Sequence, residues 1–230
     1  MKIKIIFFLS ILFCQQHIWA EEISTEQIKF EKDKLKFQKY VPKNYAFFEA
    51  VEGDLNKDGK NDLVLIVKAT DPNAWVVNRF DERLDRNRRG MIVFLNANGK
   101  YQKLTQNLTI FSSENEDGGV YFAPELWFEI KKNVLHTTYS HGRYGYWKYT
   151  FRVQKNDLRL IGYDSSDHHG PYVQNETSIN LITGKVLERE NMNKDYDDDK
   201  PRFKESWKSR NYPAIFLSNI PDIDELRLGE

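Results

Sequence analysis

The chain has 230 residues, of which 34 are basic and 34 acidic, so its formal net charge at pH 7 is zero. This balance argues against a nucleic-acid partner, because a protein binds the phosphate backbone through a basic stripe. The length suits one domain, or two small ones, and an aromatic content of 14% is enough for a sizeable hydrophobic core.

The first 20 residues have the pattern of a cleavable export signal. Two lysines precede an apolar run from Ile5 to Phe13, and the small residue Ala20 stands at the expected cleavage point. The run is shorter than the ~20 residues that a membrane-spanning helix needs. Cleavage would also remove Cys14, the single cysteine, so the mature chain would form no disulfide. We expect residues 1–20 to be a signal peptide and residues 21–230 to form a single β-rich domain that is periplasmic or secreted.

A helix is the favoured interpretation of residues 24–40, which are charged and only weakly periodic. Ser24 and Gln27 have the spacing of a capping box at a helix N-terminus. Apolar residues at alternate positions suggest a strand as the alternative. Pro42 ends either element, because proline cannot continue the hydrogen-bonding pattern.

From residue 63 onward the pattern is typical of β-strands. The continuous apolar runs Leu63–Val67 and Met91–Leu95 are typical of strands that are buried on both faces. Asn98-Gly99 predicts a tight hairpin turn into Lys100–Leu104, because both turn residues tolerate positive φ. Further strands are expected at 120–130, 133–139, 145–154, 158–163, 176–182 and 185–188.

The strand at 145–154 alternates between apolar and polar residues, which is typical of one buried and one solvated face. We expect Trp147, Tyr149 and Phe151 to be buried by cross-strand aromatic pairing. This succession of adjacent strands predicts a mainly β fold of antiparallel meander sheets, partly propeller-like or a sandwich, with a short N-terminal helix.

Four charged or short segments are harder to interpret. Arg79–Arg89 carries both charges and is expected to be a solvated excursion with one helical turn. Residues 190–211 are expected to be a charged, solvated loop. Tyr212–Leu217 is expected to be a last strand, and the segment around Pro221 a polar tail.

Residues 53–62 read Gly-Asp-Leu-Asn-Lys-Asp-Gly-Lys-Asn-Asp, which is the one motif with clear chemistry. Ca²⁺ binds several oxygen ligands in a flexible shell, and a glycine allows the sharp turn around it. The loop is not an EF-hand, because its twelfth position is Leu65 instead of a glutamate. A turn stabilised by Asp and Asn without metal is the alternative. The candidate ligands, with a main-chain carbonyl from the lysine, are Asp54, Asn56, Asp58, Lys60 and Asp62.

This loop resembles the short calcium loop of FG-GAP and VCBS repeats, which leads directly into a β-strand. The resemblance implies a structural Ca²⁺ bound by the side chains of Asp54, Asn56, Asp58 and Asp62. The motif occurs once, whereas the propellers of that family carry several copies. The wider layout resembles small secreted bacterial proteins of unknown function, a resemblance that implies no activity. The stretches that carry it are Val41–Tyr45, Gly53–Val67, Tyr149–Arg152, Leu160–Tyr163, Ser178–Asn180 and Thr183–Lys185.

Exposed aromatic and basic residues near glycines are the candidate partner contacts. Arg143, Tyr144 and Tyr146 lie in a glycine-rich stretch, and exposed Tyr and Arg residues often anchor a protein partner. His168 and His169 are added to this set. With nearby carboxylates they could bind a metal or transfer protons, although a polar loop between strands is the favoured interpretation.

No residue is assigned a catalytic role. The sequence has no Gly-x-Ser-x-Gly elbow and no glycine-rich phosphate loop. We therefore expect a non-enzymatic periplasmic or secreted interaction protein with a structural Ca²⁺ loop, which neutralises a toxin or an enzyme as an immunity protein or inhibitor does. A carbohydrate- or envelope-binding module is the alternative. A hydrolase that uses His141, His168 or His169 is less favoured. The expected partner is another protein or a glycan, with no nucleic acid and no membrane span.

Overall fold

The computed structural model describes residues 24–114, 123–193, 200–226 and 228. The expected signal peptide lies outside these ranges. No helix within them is both long enough and apolar enough to cross a membrane.

The described residues form one α-helix and thirteen β-strands. They are α1 (Thr25–Phe37), β1 (Tyr45–Gly53), β2 (Asp62–Ala69), β3 (Trp75–Val77), β4 (Arg83–Asp85), β5 (Arg89–Ala97), β6 (Lys100–Phe111), β7 (Glu125–Lys131), β8 (Val134–Ser140), β9 (Gly145–Gln154), β10 (Asp157–His169), β11 (Tyr172–Asn180), β12 (Lys185–Asn191) and β13 (Phe203–Ser209).

Helix α1 begins with the predicted capping box. The main-chain N–H of Gln27 donates to Oγ of Ser24 at 3.1 Å, and the N–H of Ser24 donates to Oε1 of Gln27 at 2.9 Å. These bonds satisfy donors that lack partners inside the helix. The helix docks through the buried ring of Phe37, and Phe30 packs edge-on against Phe47 of β1. The helix interpretation of this segment is therefore confirmed.

A four-stranded antiparallel sheet has the order β1-β2-β5-β6. Leu63 and Leu65 of β2 face the side covered by α1, whereas Val64 and Ile66 face the main core. Both faces of the central strands are thus buried, which explains the continuous apolar runs and confirms their interpretation.

A seven-stranded antiparallel sheet follows in chain order, from β7 at one edge to β13 at the other. Its inner face packs against the four-stranded sheet, with Tyr149 and Phe151 of β9 in the core. Trp147 is half-buried and stacks on Tyr139 of β8 at 5.1 Å between ring centroids. The two layers form a mainly β, antiparallel sandwich with one short N-terminal helix, as predicted.

The C-terminal segment joins the two sheets, contrary to the expected polar tail. The N–H of Ile223 donates to the carbonyl of Ile110 in β6, at 3.1 Å, and its carbonyl accepts from the Tyr149 hydroxyl of β9, at 3.0 Å. Ile220 and Ile223 are buried in the main core. The segment is therefore part of the core and not a solvated tail.

Three other expectations differ from the structure. The segment at 190–211 contains β13, which pairs antiparallel with β12 at the open edge of the sheet. Tyr212–Leu217 is not a strand and makes one isolated bridge, between Phe216 and Arg159. Within Arg79–Arg89 the predicted helical turn is wrong, because this region forms the β3–β4 hairpin.

The β3–β4 hairpin forms because Asn78 nucleates its turn. The side-chain oxygen of Asn78 accepts the N–H of Phe80 at 2.8 Å and the N–H of Glu82 at 3.0 Å. Asp81 takes a positive φ of 60°, which aspartate tolerates better than most residues. An Asx turn of this kind competes with helix formation.

Candidate functional site

The first candidate site is the loop Asp54–Asn61 between β1 and β2, with Asp62 at its end; we refer to it as the Asp54–Asp62 loop. It lies where turns from both sheets meet. The side chain of Asn133, in the β7–β8 turn, donates to the carbonyl of Asp54 at 2.9 Å. The ammonium of Lys60 donates to Oδ1 of Asn98, in the β5–β6 turn, at 3.0 Å. The loop is therefore held from two sides.

Asp54 organises the tip of this loop. Its Oδ1 accepts the N–H of Lys57 at 2.7 Å and that of Asp58 at 3.3 Å, while Oδ2 accepts the N–H of Gly59 at 3.1 Å. Gly59 has a φ of 78°, which glycine adopts without strain. A single carboxylate thus gathers three main-chain donors into one tight turn.

Asp62 closes the loop and is fully buried. Its Oδ2 accepts the N–H of Leu55 at 2.8 Å, and its Oδ1 accepts the N–H of Asn96 in β5 at 2.9 Å. A buried carboxylate needs such hydrogen bonds to offset the loss of hydration. Asp62 therefore ties the loop to the sheet by its own hydrogen bonds.

The residues of the Asp54–Asp62 loop fit Ca²⁺ in part. Asn56 and Asp58 are exposed, and each supplies an oxygen that already accepts one main-chain N–H, at 3.0 Å from Asp58 and 2.9 Å from Lys60. A carboxylate or amide oxygen keeps a second lone pair after accepting one bond. Within the described ranges, no group of three or more His, Cys, Asp or Glu side chains is positioned to hold a metal. Asparagine and a main-chain carbonyl would have to complete the ligand set.

The five candidate partner contacts do not form a single site. Arg143, Tyr144 and His169 come together at one end of the seven-stranded sheet, where β8 leads to β9 and β10 turns into β11. Tyr146 lines a separate hollow on the outer sheet face. His168 and His169 are the last residues of β10, so the expected polar loop is a strand end.

Arg143, Tyr144 and His169 line a cavity of about 500 Å³, which we call the end cleft. The β8–β9 connection is a short 3₁₀ turn, in which the N–H of Tyr144 donates to the carbonyl of His141 at 3.0 Å. Gly145 follows with a φ of 109°, and a Cβ there would lie 1.8 Å from the carbonyl oxygen of Ser166. Only glycine fits at this position, so the backbone fixes where Tyr144 emerges. The lining residues are Arg143, Tyr144, His169, Gly170, Pro171 and Tyr172.

Aromatic and cationic groups meet in the end cleft. The guanidinium of Arg143 lies 5.2 Å from the ring centroid of Tyr144, and its Nη2 donates to the Tyr144 hydroxyl at 3.2 Å. The ring of His141 lies 5.0 Å from that of Tyr144. Tyr172 completes the lining and was missed in the sequence; its position two residues after Gly170 in a hairpin turn was the available signal.

The outer face of the seven-stranded sheet carries a ladder of charges. Lys148 pairs with Asp164 at 3.2 Å, and Arg189 lies between Glu176, at 3.3 Å, and Glu205, at 3.0 Å. A hollow of about 260 Å³, which we call the sheet-face hollow, lies among these strands. Its lining includes Tyr146, Asp164, Glu176, Ser178, Leu187 and Arg189, which four different strands contribute.

Ser166 and His168 form the pair closest to a hydrolytic arrangement. Oγ of Ser166 and Nε2 of His168 lie 2.8 Å apart. Ser166 is only 2% exposed, so a substrate could not reach its hydroxyl without rearrangement. A nucleophile also needs a base that a third group orients, and no described carboxylate makes a hydrogen bond to His168.

His136 of β8 titrates at lower pH than an ordinary histidine. Burial, and next the ammonium of Lys148, lower the pKa of His136 below its usual 6.5. Its Nδ1 lies 3.1 Å from Oγ1 of Thr150 in β9. The neutral imidazole is therefore the form that the sheet accommodates.

The two candidate sites thus lie at opposite ends of the sandwich: the Asp54–Asp62 loop at one end, and the end cleft with its aromatic and cationic side chains at the other. Either could bind a ligand, and only the end cleft gathers several of the predicted partner contacts. No known family model matches this sequence, and no curated protein or solved structure matches it either.

Proposed function

We propose that this chain is a non-enzymatic, exported interaction protein that binds and neutralises another protein, either a toxin or an enzyme, through the end cleft. The observation that supports the proposal is the clustering of Arg143, Tyr144, His169 and Tyr172 around one cavity. Tyrosine and arginine are enriched among the residues that dominate protein–protein binding energy. A cavity rimmed by them suits the insertion of a partner loop.

The end cleft is also preorganised for binding. Tyr144 is 52% exposed, yet its backbone is fixed by the 3₁₀ turn and by Gly145. On the other side of the cleft, the β10–β11 hairpin holds His169 opposite Tyr172 in register. A binding surface that is already ordered loses less conformational entropy when its partner docks.

The proposal includes a structural Ca²⁺ in the Asp54–Asp62 loop, as the resemblance to FG-GAP and VCBS loops implies. The ion would be bound by the side chains of Asp54, Asn56, Asp58 and Asp62 and by the Lys60 carbonyl, and Asp62 would also close the loop through its main-chain hydrogen bonds. The β7–β8 turn contacts this loop, whereas the end cleft follows the other end of β8. A strand of seven residues spans roughly 23 Å. The ion would therefore stabilise the scaffold without contacting the partner.

The test is protection in living cells. The protein would be co-produced in the bacterial periplasm with each secreted protein that a neighbouring gene encodes, and growth would be followed. We expect the wild type to restore growth against one of them and to bind it when both are purified. Loss of two anchor residues that each contribute about 2 kcal/mol should weaken binding by roughly a thousandfold. The double variant Arg143→Ala with Tyr144→Ala should therefore fail to protect.

The chain offers a matched control for that variant. Arg79 and Phe80 are another exposed pair of adjacent residues, with the guanidinium 4.8 Å from the ring centroid, in the β3–β4 turn. Arg79→Ala with Phe80→Ala should protect as the wild type does. Equal loss in both double variants, or a wild type that neither protects nor binds any of these proteins, would count against the proposal.

A carbohydrate- or envelope-binding role is the second candidate, and the sheet-face hollow favours it. Tyr146, which is 37% exposed, supplies a ring on which a sugar could stack, beside the carboxylate of Asp164 and the guanidinium of Arg189. Titration with soluble cell-wall glycan fragments should then quench tryptophan fluorescence in the wild type but not in Tyr146→Ala. An unchanged signal in the wild type would remove this candidate.

A further inference from the structure

Among the described residues, the ionisable side chains that line the end cleft are basic or phenolic, and none is acidic. Apart from its two tyrosines, they are Arg143 and His169, and no carboxylate belongs to the lining. The acidic residue nearest in sequence is Asp167, which lines a different depression together with Asn175 and Glu188. The end cleft is therefore cationic, because the guanidinium of Arg143 keeps its positive charge.

Arg143 differs from several basic residues of this sheet, which are held in ion pairs. Lys148, Arg189 and Lys208 each form an ion pair with a carboxylate on a neighbouring strand. No carboxylate among the described residues lies within 4.0 Å of the Arg143 guanidinium, whose one hydrogen bond joins it to the Tyr144 hydroxyl. A guanidinium has five N–H donors, so most of those on Arg143 are available to a ligand.

The surroundings of Arg143 suit a carboxylate that is carried on a short apolar stem. A guanidinium binds a carboxylate through two parallel hydrogen bonds, a geometry that lysine cannot provide. The rings of Tyr144 and Tyr172 line the same cavity and offer apolar surface to the methylene groups that carry such a carboxylate. Complementary charge of this kind contributes mainly to the specificity and rate of protein association.

We propose that the end cleft binds the carboxylate of an aspartate or glutamate side chain of the partner protein, with Arg143 as its bidentate donor. This inference rests on the proposed function and adds the chemistry of the partner. The partner residue enters between Tyr144 and Tyr172, and its carboxylate replaces water on the guanidinium of Arg143.

A displayed library of disulfide-cyclised peptides, selected on the wild-type protein, supplies the probe for this proposal. Peptides whose binding is lost on Tyr144→Ala are kept as cleft-dependent. We expect each of them to contain an essential Asp or Glu, whose replacement by Asn or Gln weakens binding about tenfold or more, as for a hydrogen bond between charged groups. The same replacement should have little effect on binding to Arg143→Gln, because the interaction is already absent there.

Two controls separate the possible outcomes. Arg143 is exposed, so Arg143→Gln should leave the fold intact, and Arg79→Gln, which changes the matched exposed arginine of the β3–β4 turn, should not affect binding. Cleft-dependent peptides that tolerate Asp-to-Asn or Glu-to-Gln replacement would overturn the carboxylate proposal and leave the proposed function standing. A selection that yields no binder dependent on Tyr144 would overturn both.

Discussion

Asp62 and Asn96, 34 positions apart in the chain, are joined by a hydrogen bond in which the main-chain N–H of Asn96 donates to Oδ1 of Asp62 at 2.9 Å. The other oxygen of the same carboxylate accepts the N–H of Leu55 at 2.8 Å. One buried side chain thus fixes the Asp54–Asp62 loop against β5 before any ion is considered. Several measurable consequences of the fold depend on single contacts of this kind.

Asp62→Ala should destabilise the protein strongly, because it leaves one buried and one partly buried main-chain donor without their acceptor. Each unsatisfied group costs about 1–3 kcal/mol, so the free energy of unfolding should fall by roughly 2–6 kcal/mol. Asp62→Asn retains one acceptor oxygen and should lose about half as much. Urea unfolding of the three proteins measures these values, and equal stability of wild type and Asp62→Ala would contradict the role assigned to this carboxylate.

Added Ca²⁺ should raise the thermal midpoint of the wild type after EDTA treatment, since a ligand that binds only the folded state stabilises it. At a hundredfold excess over Kd the gain is about 2.7 kcal/mol. Asp58→Ala should lose this response. Asp71→Ala is the matched control, because Asp71, like Asp58, is exposed and accepts the N–H of the residue two positions later. A wild type that shows no shift in millimolar Ca²⁺ would mean that the loop is an Asx turn without metal.

Gly145→Ala should be more harmful than Gly142→Ala, although Gly142 begins the same 3₁₀ turn that Gly145 follows. At Gly145 the added methyl would overlap the Ser166 carbonyl oxygen. Strained backbone alone lowers the free energy of unfolding by about 1–3 kcal/mol, and the overlap should lower it by about as much again. Gly142 has a φ of 53° and open space around it, so about 1–2 kcal/mol is expected. Urea midpoints of the two variants give the comparison, and similar midpoints would contradict the predicted clash.

Phe37→Ala should detach α1 from the four-stranded sheet. The ring is 1% exposed, and deletion of a buried phenylalanine side chain costs about 3–5 kcal/mol. Leu35→Ala is the control on the same helix, because Leu35 is 84% exposed and should change stability by less than about 0.5 kcal/mol. Denaturant unfolding followed by circular dichroism measures both. A larger loss for Leu35→Ala would show that α1 docks through a different face.

Stability should fall as the pH drops through 6.5, because His136 has a lower pKa in the folded protein than in the unfolded chain. Above that pH both states hold the neutral ring, and below it the unfolded chain binds the proton more readily. Glu49 and Asp224, whose pKa values burial raises, act in the opposite direction but are common to wild type and His136→Gln. The difference between the urea midpoints of these two proteins should therefore shrink on acidification. A difference that is independent of pH would exclude this contribution of His136.

The helix and the central strands could be predicted because their signals are local. The capping box needs only Ser24 and Gln27, and the continuous apolar run of β2 is typical of a strand that is buried on both faces. Strand β13 escaped prediction because its residues on both faces are polar, apart from Phe203 and Trp207, and its pairing depends on the distant β12. The burial of Ile223 likewise depends on contacts with residues far away in the sequence.

The two candidate sites show the same division. The residues of the Asp54–Asp62 loop are neighbours in sequence, so the spacing alone identified them. The exposure of Tyr144 followed from its glycines, but its proximity to His169 and Tyr172 depends on the pairing of β9, β10 and β11. The pattern of residues within one segment does not show which other strands will pair with it. Tyr172 and Arg189 could therefore not be predicted as site residues.

The position of Ile223 between the sheets also bears on the order in which the protein folds. The seven-stranded sheet pairs each strand with its neighbour in the chain, so hairpins can form one after another as the polypeptide emerges. The backbone of Ile223, however, bonds to β6 on one side and to Tyr149 of β9 on the other, and it lies later in the chain than both strands. The two layers can therefore be completed only after Ile223 has been synthesised, and until then their facing apolar surfaces would need protection from aggregation.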